Sequence, residues 1–202
     1  MWRSDFFSLI SETPHLTWLL LTKRIGNVRS LLPVWWEDPQ AWEFCAPGAN
    51  VWIGASIVNQ EEAARDIPKL LGVPAVKRFI SYEPALGPLS FEGCWVEYAD
   101  PRIHENWLER LDWVIVGGES AQGGHDARPF VIGWARDVML ECQAVGTAFF
   151  MKQMGSNVVV EDATCPLERA IREGGYRLKH RAGADPSEWP EDLRVQEFPK
   201  GG

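Results

Sequence analysis

The chain has 202 residues, 46% apolar and 24% charged, the balance of an ordinary globular domain able to bury a core without a metal or disulfide. Its 20 Lys and Arg against 28 Asp and Glu leave a net charge of −8, which weakens nucleic acid as a partner while leaving room for a small basic pocket. No apolar run approaches the roughly 20 residues that cross a bilayer, and no apolar stretch with a small-residue cleavage site begins the chain, so the expectation is no membrane association and a cytoplasmic, reducing setting.

Taken in chain order, short apolar runs alternate with longer helix-like segments, the pattern of a parallel α/β sheet. The runs are 17–22, 51–56, 76–81, 111–116 and 147–152. Between the second and third, the spacing of Ala63, Ala64, Ile67, Leu70 and Leu71 predicts a helix over 60–71. Asn59 is placed to cap it, with Glu62 in a box-like arrangement, and Pro68 is expected to end or kink it. A second helix is predicted over 132–145, with Trp134, Val138 and Cys142 on one stripe and Gly146 as its stop. Right-handed crossovers would set such helices outside the sheet. Residues 89–109 break the rhythm and read as an insertion into a domain spanning 1–155. From 156 to 202, Gly, Pro and charge increase, suggesting an irregular C-terminal extension packed on the same domain. The fold class is therefore α/β, either a partial (β/α) barrel or an open parallel sheet of about five strands with outer helices. Cys45, Cys94, Cys142 and Cys165 are too scattered for a local metal motif and read as free thiols.

Ligands of parallel α/β folds gather at the carboxyl ends of the strands. Each of the five runs ends in polar residues: Lys23 and Arg24 after the first, Ser56 after the second, and Ser81 with Glu83 after the third. Gly117, Gly118, Glu119 and Ser120 follow the fourth, and Lys152 closes the fifth. One polar strand end is ordinary loop chemistry; five of five is a pattern. The paired glycines allow close backbone approach or a tight turn, and the next residue is a carboxylate able to accept from an amino group. The segment lacks the Gly-Lys-Ser/Thr ending of a P-loop and the G-x-G-x-x-G spacing of a dinucleotide fingerprint. Arg128 could fix a carboxylate or phosphate, or simply form a surface ion pair. His15, His104, His125 and His180 are too dispersed for a zinc site, and no metal site is expected. There is no G-x-S-x-G elbow. Trp35, Trp36, Trp42, Trp107 and Trp113 read as core or contact residues before base-stacking platforms. The basic group Arg177, Lys179, His180 and Arg181 reads as a solvated face.

Several of these segments together resemble a known family. They are Trp18-Leu-Leu-Leu-Thr-Lys-Arg24, Asn50-Val-Trp-Ile-Gly-Ala-Ser56, Arg78-Phe-Ile-Ser-Tyr-Glu-Pro-Ala-Leu-Gly-Pro88, Val114-Ile-Val-Gly-Gly-Glu-Ser120, Ala127-Arg-Pro129, Phe149-Phe-Met-Lys-Gln-Met-Gly155 and the tail 183–199. In this order they resemble the phage gp thirty-seven/sixty-eight family, a phage and prophage domain of unknown function similar to radical S-adenosylmethionine (SAM) enzymes. The resemblance implies a partial barrel with Lys23, Ser56, Ser81, Glu83, Glu119 and Lys152 around SAM or a similar anionic small ligand. Glu83 and Glu119 would take amino or ribose hydroxyl groups; Lys23, Arg128 and Lys152 would take a carboxylate or phosphate. It also implies an iron–sulfur cluster, held in the family by clustered cysteines near a first strand. This sequence begins after that region, and its four cysteines match none of those positions. The expectation is a domain in a bacterial host cell that is inactive alone, because it is a fragment, because its cluster segment is a separate partner, or because a short form has another role. The alternative is a non-catalytic phage accessory protein that binds or inhibits a host protein through acidic surface and exposed Trp.

Overall fold

A computed structural model describes residues 2–37, 49–97, 105–122, 124–175 and 177–200; Trp42, Cys45 and His104 lie outside them. The strands are β1 (Trp18–Thr22), β2 (Val51–Ile57), β3 (Lys77–Tyr82), β4 (Trp113–Gly117), β5 (Phe130–Val131), β6 (Ala148–Gln153) and β7 (Val158–Val159). The helices are α1 (Trp2–Glu12), α2 (Val28–Leu31), α3 (Gln60–Leu71), α4 (Ile132–Val145) and α5 (Pro166–Arg172). Five strands form one parallel sheet in the order β1-β2-β3-β4-β6, and β5 pairs with β7 in a separate two-stranded ribbon. The sheet is open: its edges, β1 and β6, do not pair with each other.

Each of the five predicted runs becomes a strand of the main sheet, with bounds displaced by no more than two residues. The short β5–β7 pair was not anticipated, since two residues are too few to show a period. Because every chain step moves to the next strand in one direction, right-handed crossovers bring the helices to a common face. On that face Ile53, Ala55 and Ile57 of β2, Ile80 and Tyr82 of β3, Val114 and Val116 of β4 and Phe149 and Met151 of β6 form one core. Ile67 and Leu70 of α3 and Val138 and Cys142 of α4 pack into it.

Residues of opposite parity build a second, aromatic layer on the other face. Trp52, Phe79 and Trp113 are buried there, with Ile115, Ala148 and Phe150 against them. The C-terminal tail closes this layer. The Met151 N–H donates to the Val195 carbonyl and the Glu197 N–H to the Phe149 carbonyl, which covers the β6 edge. The Trp113 indole N–H donates to the Glu197 carbonyl, and the Phe198 ring centroid lies 5.2 Å from that of Trp113.

Local signals explain the helix ends. Asn59 Oδ1 accepts the Glu62 N–H at 3.0 Å, and Glu62 Oε2 accepts the Val58 N–H at 3.1 Å, closing the box one residue earlier than its usual form. Pro68 does not end α3, which runs on to Leu71. Proline removes one helical hydrogen bond, but Ile67 and Leu70 beside it are fully buried, and their packing carries the last turn. Gly146 ends α4 at φ 84°, the left-handed conformation that glycine adopts freely. In the 89–109 segment Leu89, Phe91 and Leu108 enter the main core. Trp189 and Leu193 of the C-terminal segment do the same, and Arg136 of α4 joins Asp192 and the buried Glu168. Cys94, Cys142 and Cys165 are free thiols. No helix among the described residues is long and apolar enough to cross a membrane.

Gly54 lies beneath the Phe79 ring, where a Cβ would collide with three ring carbons. Phe79 is wedged between Gly54 and Trp113, so Gly54→Ala is expected to destabilise the fold by about 1–3 kcal/mol. Urea unfolding measures this; a loss below about 0.5 kcal/mol would mean the aromatic layer yields freely.

Candidate functional site

The aromatic layer gives way to hydroxyls and charges as the strands approach their carboxyl ends. Register places Ser56 beside Ser81, so two adjacent strands present hydroxyls from the same face. Both residues are almost fully buried, which makes their partners obligatory. Ser81 Oγ donates to Glu83 Oε2 at 2.8 Å, and Ser56 Oγ reaches the Glu83 carbonyl at 3.5 Å. From β6, two strands away, Lys152 Nζ donates to the same Glu83 Oε2 at 3.0 Å. Glu83 Oε1 receives no hydrogen bond from the described residues. It hangs over Gly117, whose missing side chain makes the space: a Cβ there would collide with Oε1.

The glycines continue this logic. A Cβ on Gly118 would run into the Met154 carbonyl, so the loops after β4 and β6 touch backbone to backbone. Gly118 donates its N–H to the Gln153 carbonyl, and Gln153 Nε2 donates to the Gly118 carbonyl at 2.8 Å and to Ser120 Oγ at 3.0 Å. The resulting cavity has a volume of about 330 Å³. Glu83, Pro84, Lys152, Gln153, His125 and Asp126 contribute to its wall.

Glu119 is held differently. The Arg128 guanidinium grips both of its oxygens, at 2.9 and 2.7 Å, and the Arg128 backbone N–H adds a third bond at 2.8 Å. These bonds, the side-chain ones foremost, lower the Glu119 carboxyl to about 2. The pair is a clasp across the loop that forms the cavity rim.

The structure therefore brings together Ser56, Ser81, Glu83, Gly117, Gly118, Glu119, Ser120, Arg128 and Lys152. It leaves Lys23 apart. That residue is exposed beyond the edge strand β1, two strand spacings or about 10 Å from β3. No hydrogen bond or ion pair among the described residues joins it to the others. Arg128, expected to hold an anion, is occupied by Glu119. Gln153, which fastens the two loops, was missed as a site residue; its position beside Lys152 at a strand end was the available signal. His125 and Asp126 reach the cavity through a loop whose path no periodicity reveals.

A family described as "Protein of unknown function (DUF5131)" matches residues 1–188. The chain belongs to this family. No curated protein and no solved structure matches it. The match spans all five strands of the sheet and every residue of the strand-end cluster. The family description names no activity, so the chemistry has to come from the geometry.

Since the folded Glu119 carboxyl lies below its ordinary value, the clasp with Arg128 is fully present above the usual glutamate range and is lost as the pH falls towards 2. Carbon-detected NMR titration should place the Glu119 midpoint near 2, and Arg128→Ala should raise it towards about 4.3. An unchanged midpoint in that variant would show that the clasp does not form in solution.

Proposed function

We propose that this chain binds SAM, or a similar small ligand with an anionic group, at the carboxyl ends of its parallel strands, as a phage-related, radical-SAM-like domain. The observation that carries the reading is the Glu83 carboxylate. One of its oxygens is held by Ser81 and Lys152, the other, over Gly117, receives no hydrogen bond from the described residues, and the group faces a cavity. The amino-acid end of SAM carries an ammonium and a carboxylate side by side. Such a zwitterion matches a Glu–Lys pair in which the Lys side chain is exposed and the Glu oxygen is open. The ammonium donates to Glu83 Oε1 while the carboxylate draws Lys152 Nζ, and Ser81 keeps Glu83 from turning away. Glu119 and Arg128 shape the rim.

An iron–sulfur cluster does not fit the described residues. Cluster ligation needs closely arranged thiolates, whereas no three His, Cys, Asp or Glu among the described residues converge to hold a metal. Burial pushes the Cys142 and Cys94 thiols up, away from the thiolate form. In this reading the chain binds the ligand and does no radical chemistry by itself.

A second reading, a non-catalytic accessory protein for a host target, is favoured by one observation. Trp2 and Leu21, both exposed, line one apolar hollow with Phe6, Phe7 and Leu20, and Val34 and Trp35 are exposed as well. A contiguous exposed apolar patch marks a contact surface.

Isothermal titration with SAM separates the two. The expected result is saturable heat, with Glu83→Gln and Lys152→Ala each weakening binding at least about tenfold while the unfolding midpoint stays near that of the wild type. Absence of heat at millimolar SAM would overturn the ligand reading. If a host protein then co-purified in a manner lost with Trp2→Ser and Trp35→Ser, the accessory reading would stand.

A further inference from the structure

Beside the strand-end site, and sharing with it Asp126 of the loop before β5, lies a larger cavity of about 510 Å³. Its walls come from that loop, from the turn at Gly155 and Ser156, and from the C-terminal segment that carries Arg177, His180 and Arg181. Three features distinguish it from a solvated basic face.

The first is that two of its donors, those of His180 and Arg181, are held in place by bonds to the backbone. Two backbone N–H groups, of Ala182 and Ala184, donate to His180 Nδ1 at 3.3 and 3.1 Å. Nδ1 is therefore the acceptor nitrogen, and the ring offers Nε2–H as a donor. Arg181 Nη2 donates to the Ala121 carbonyl at 3.2 Å, and the Arg181 carbonyl accepts Ser156 Oγ at 2.6 Å. The second is charge. Neither Arg177 nor Arg181 forms an ion pair among the described residues, and Asp126 is the sole acid among the described residues that line the cavity, so that lining carries net positive charge on a chain of net −8. The third is an apolar wall of Val158, Ile171 and Leu178, which suits an organic body next to the charged group. The volume falls within the range of small-molecule pockets.

We infer that this cavity is a binding site for a small organic phosphate of the nucleotide class. The phosphoryl oxygens take the forked N–H groups of Arg177 and Arg181 and the His180 Nε2–H. The organic moiety lies along Val158, Ile171 and Leu178. The site is separate from the strand-end site and takes none of its charged side chains, apart from the shared Asp126 in the wall.

Titration with ADP, inorganic phosphate and a short 5′-phosphorylated oligonucleotide tests it, by calorimetry and by ³¹P line broadening. ADP is expected to bind more tightly than phosphate. Arg177→Ala should weaken ADP at least about tenfold and Arg177→Lys less, since lysine keeps the charge without the fork. Arg177 is exposed and makes no hydrogen bond or ion pair among the described residues, so Arg177→Ala should unfold at the wild-type temperature. Glu83→Gln should leave ADP binding unchanged, which keeps this site independent of the SAM reading. Absence of ADP and phosphate binding at millimolar concentration, or binding indifferent to Arg177→Ala, would overturn the inference. An oligonucleotide that binds more tightly than ADP with steep salt dependence would overturn it in favour of a nucleic-acid surface.

Discussion

Two loops leaving adjacent strands press together with no side chain between them, and the geometry of the whole strand-end region follows from that contact. Gly118 lies against the Met154 carbonyl, and Gly155, at φ 78°, lies against the backbone of Glu119. A Cβ at either position would force the loops apart. The same approach lets Gln153 bond across to Gly118 and Ser120, lets the Ser156 N–H reach the Glu119 carbonyl, and lets Gly155 and Met154 donate to Ala182 and Gly183. The C-terminal segment is thus tied to the strand ends by main-chain bonds. Both cavities have walls built from these loops, so neither would keep its shape if the glycines were replaced.

The sheet was legible because strands buried on both faces read as continuous apolar runs, and five such runs alternate with helix-like segments. In β2 every residue is buried, yet Ile53, Ala55 and Ile57 meet helices while Trp52 and Gly54 meet the aromatic layer. The Asn59 cap and the Gly146 stop were legible because each acts within one turn of its own position. Pro68, read as ending or kinking the helix, does not end it, since its penalty is local while the burial of Ile67 and Leu70 that outweighs it depends on strands distant in sequence. At the site, residues on strand ends were found because the strands place them. What stayed hidden was pairing: no spacing shows that Arg128 closes on Glu119, that Lys23 belongs to the far edge, or that Arg177, His180 and Arg181 line a cavity. Those facts depend on loops whose course is set by tertiary contact.

Charge on this chain is arranged locally. An overall −8 would repel anions at long range, but screening limits that field to about 8–10 Å in physiological salt. A pocket with two guanidinium groups that form no ion pair among the described residues therefore governs its own neighbourhood. Buried carboxylates nearby are already neutralised or tied to the backbone. Glu168 meets Arg136 and the Thr164 N–H and hydroxyl, and Glu188 takes the N–H groups of Lys179 and His180 at 2.8 and 2.9 Å. Acids that hold the C-terminal segment in place thus direct their charge into the fold, away from the cavity.

The same reasoning separates the two carboxylates at the strand ends. An exposed ion pair contributes about 0–1 kcal/mol, but the Glu119–Arg128 clasp is bidentate, has a third bond from the main chain, and spans the loop between two cavities. A ligand ammonium that claimed Glu119 would have to release Arg128 and loosen that loop. Glu83 has no such obstacle. Its Oε2 is satisfied by a neutral hydroxyl and an exposed lysine, and its Oε1 has room over Gly117 without any bond to break. Ligand binding at Glu83 adds a charge-assisted bond, whereas binding at Glu119 exchanges one for another. In the proposed ligand reading Glu83 is therefore the acceptor and Glu119 the support, although the two residues look equivalent as acids following a β-strand.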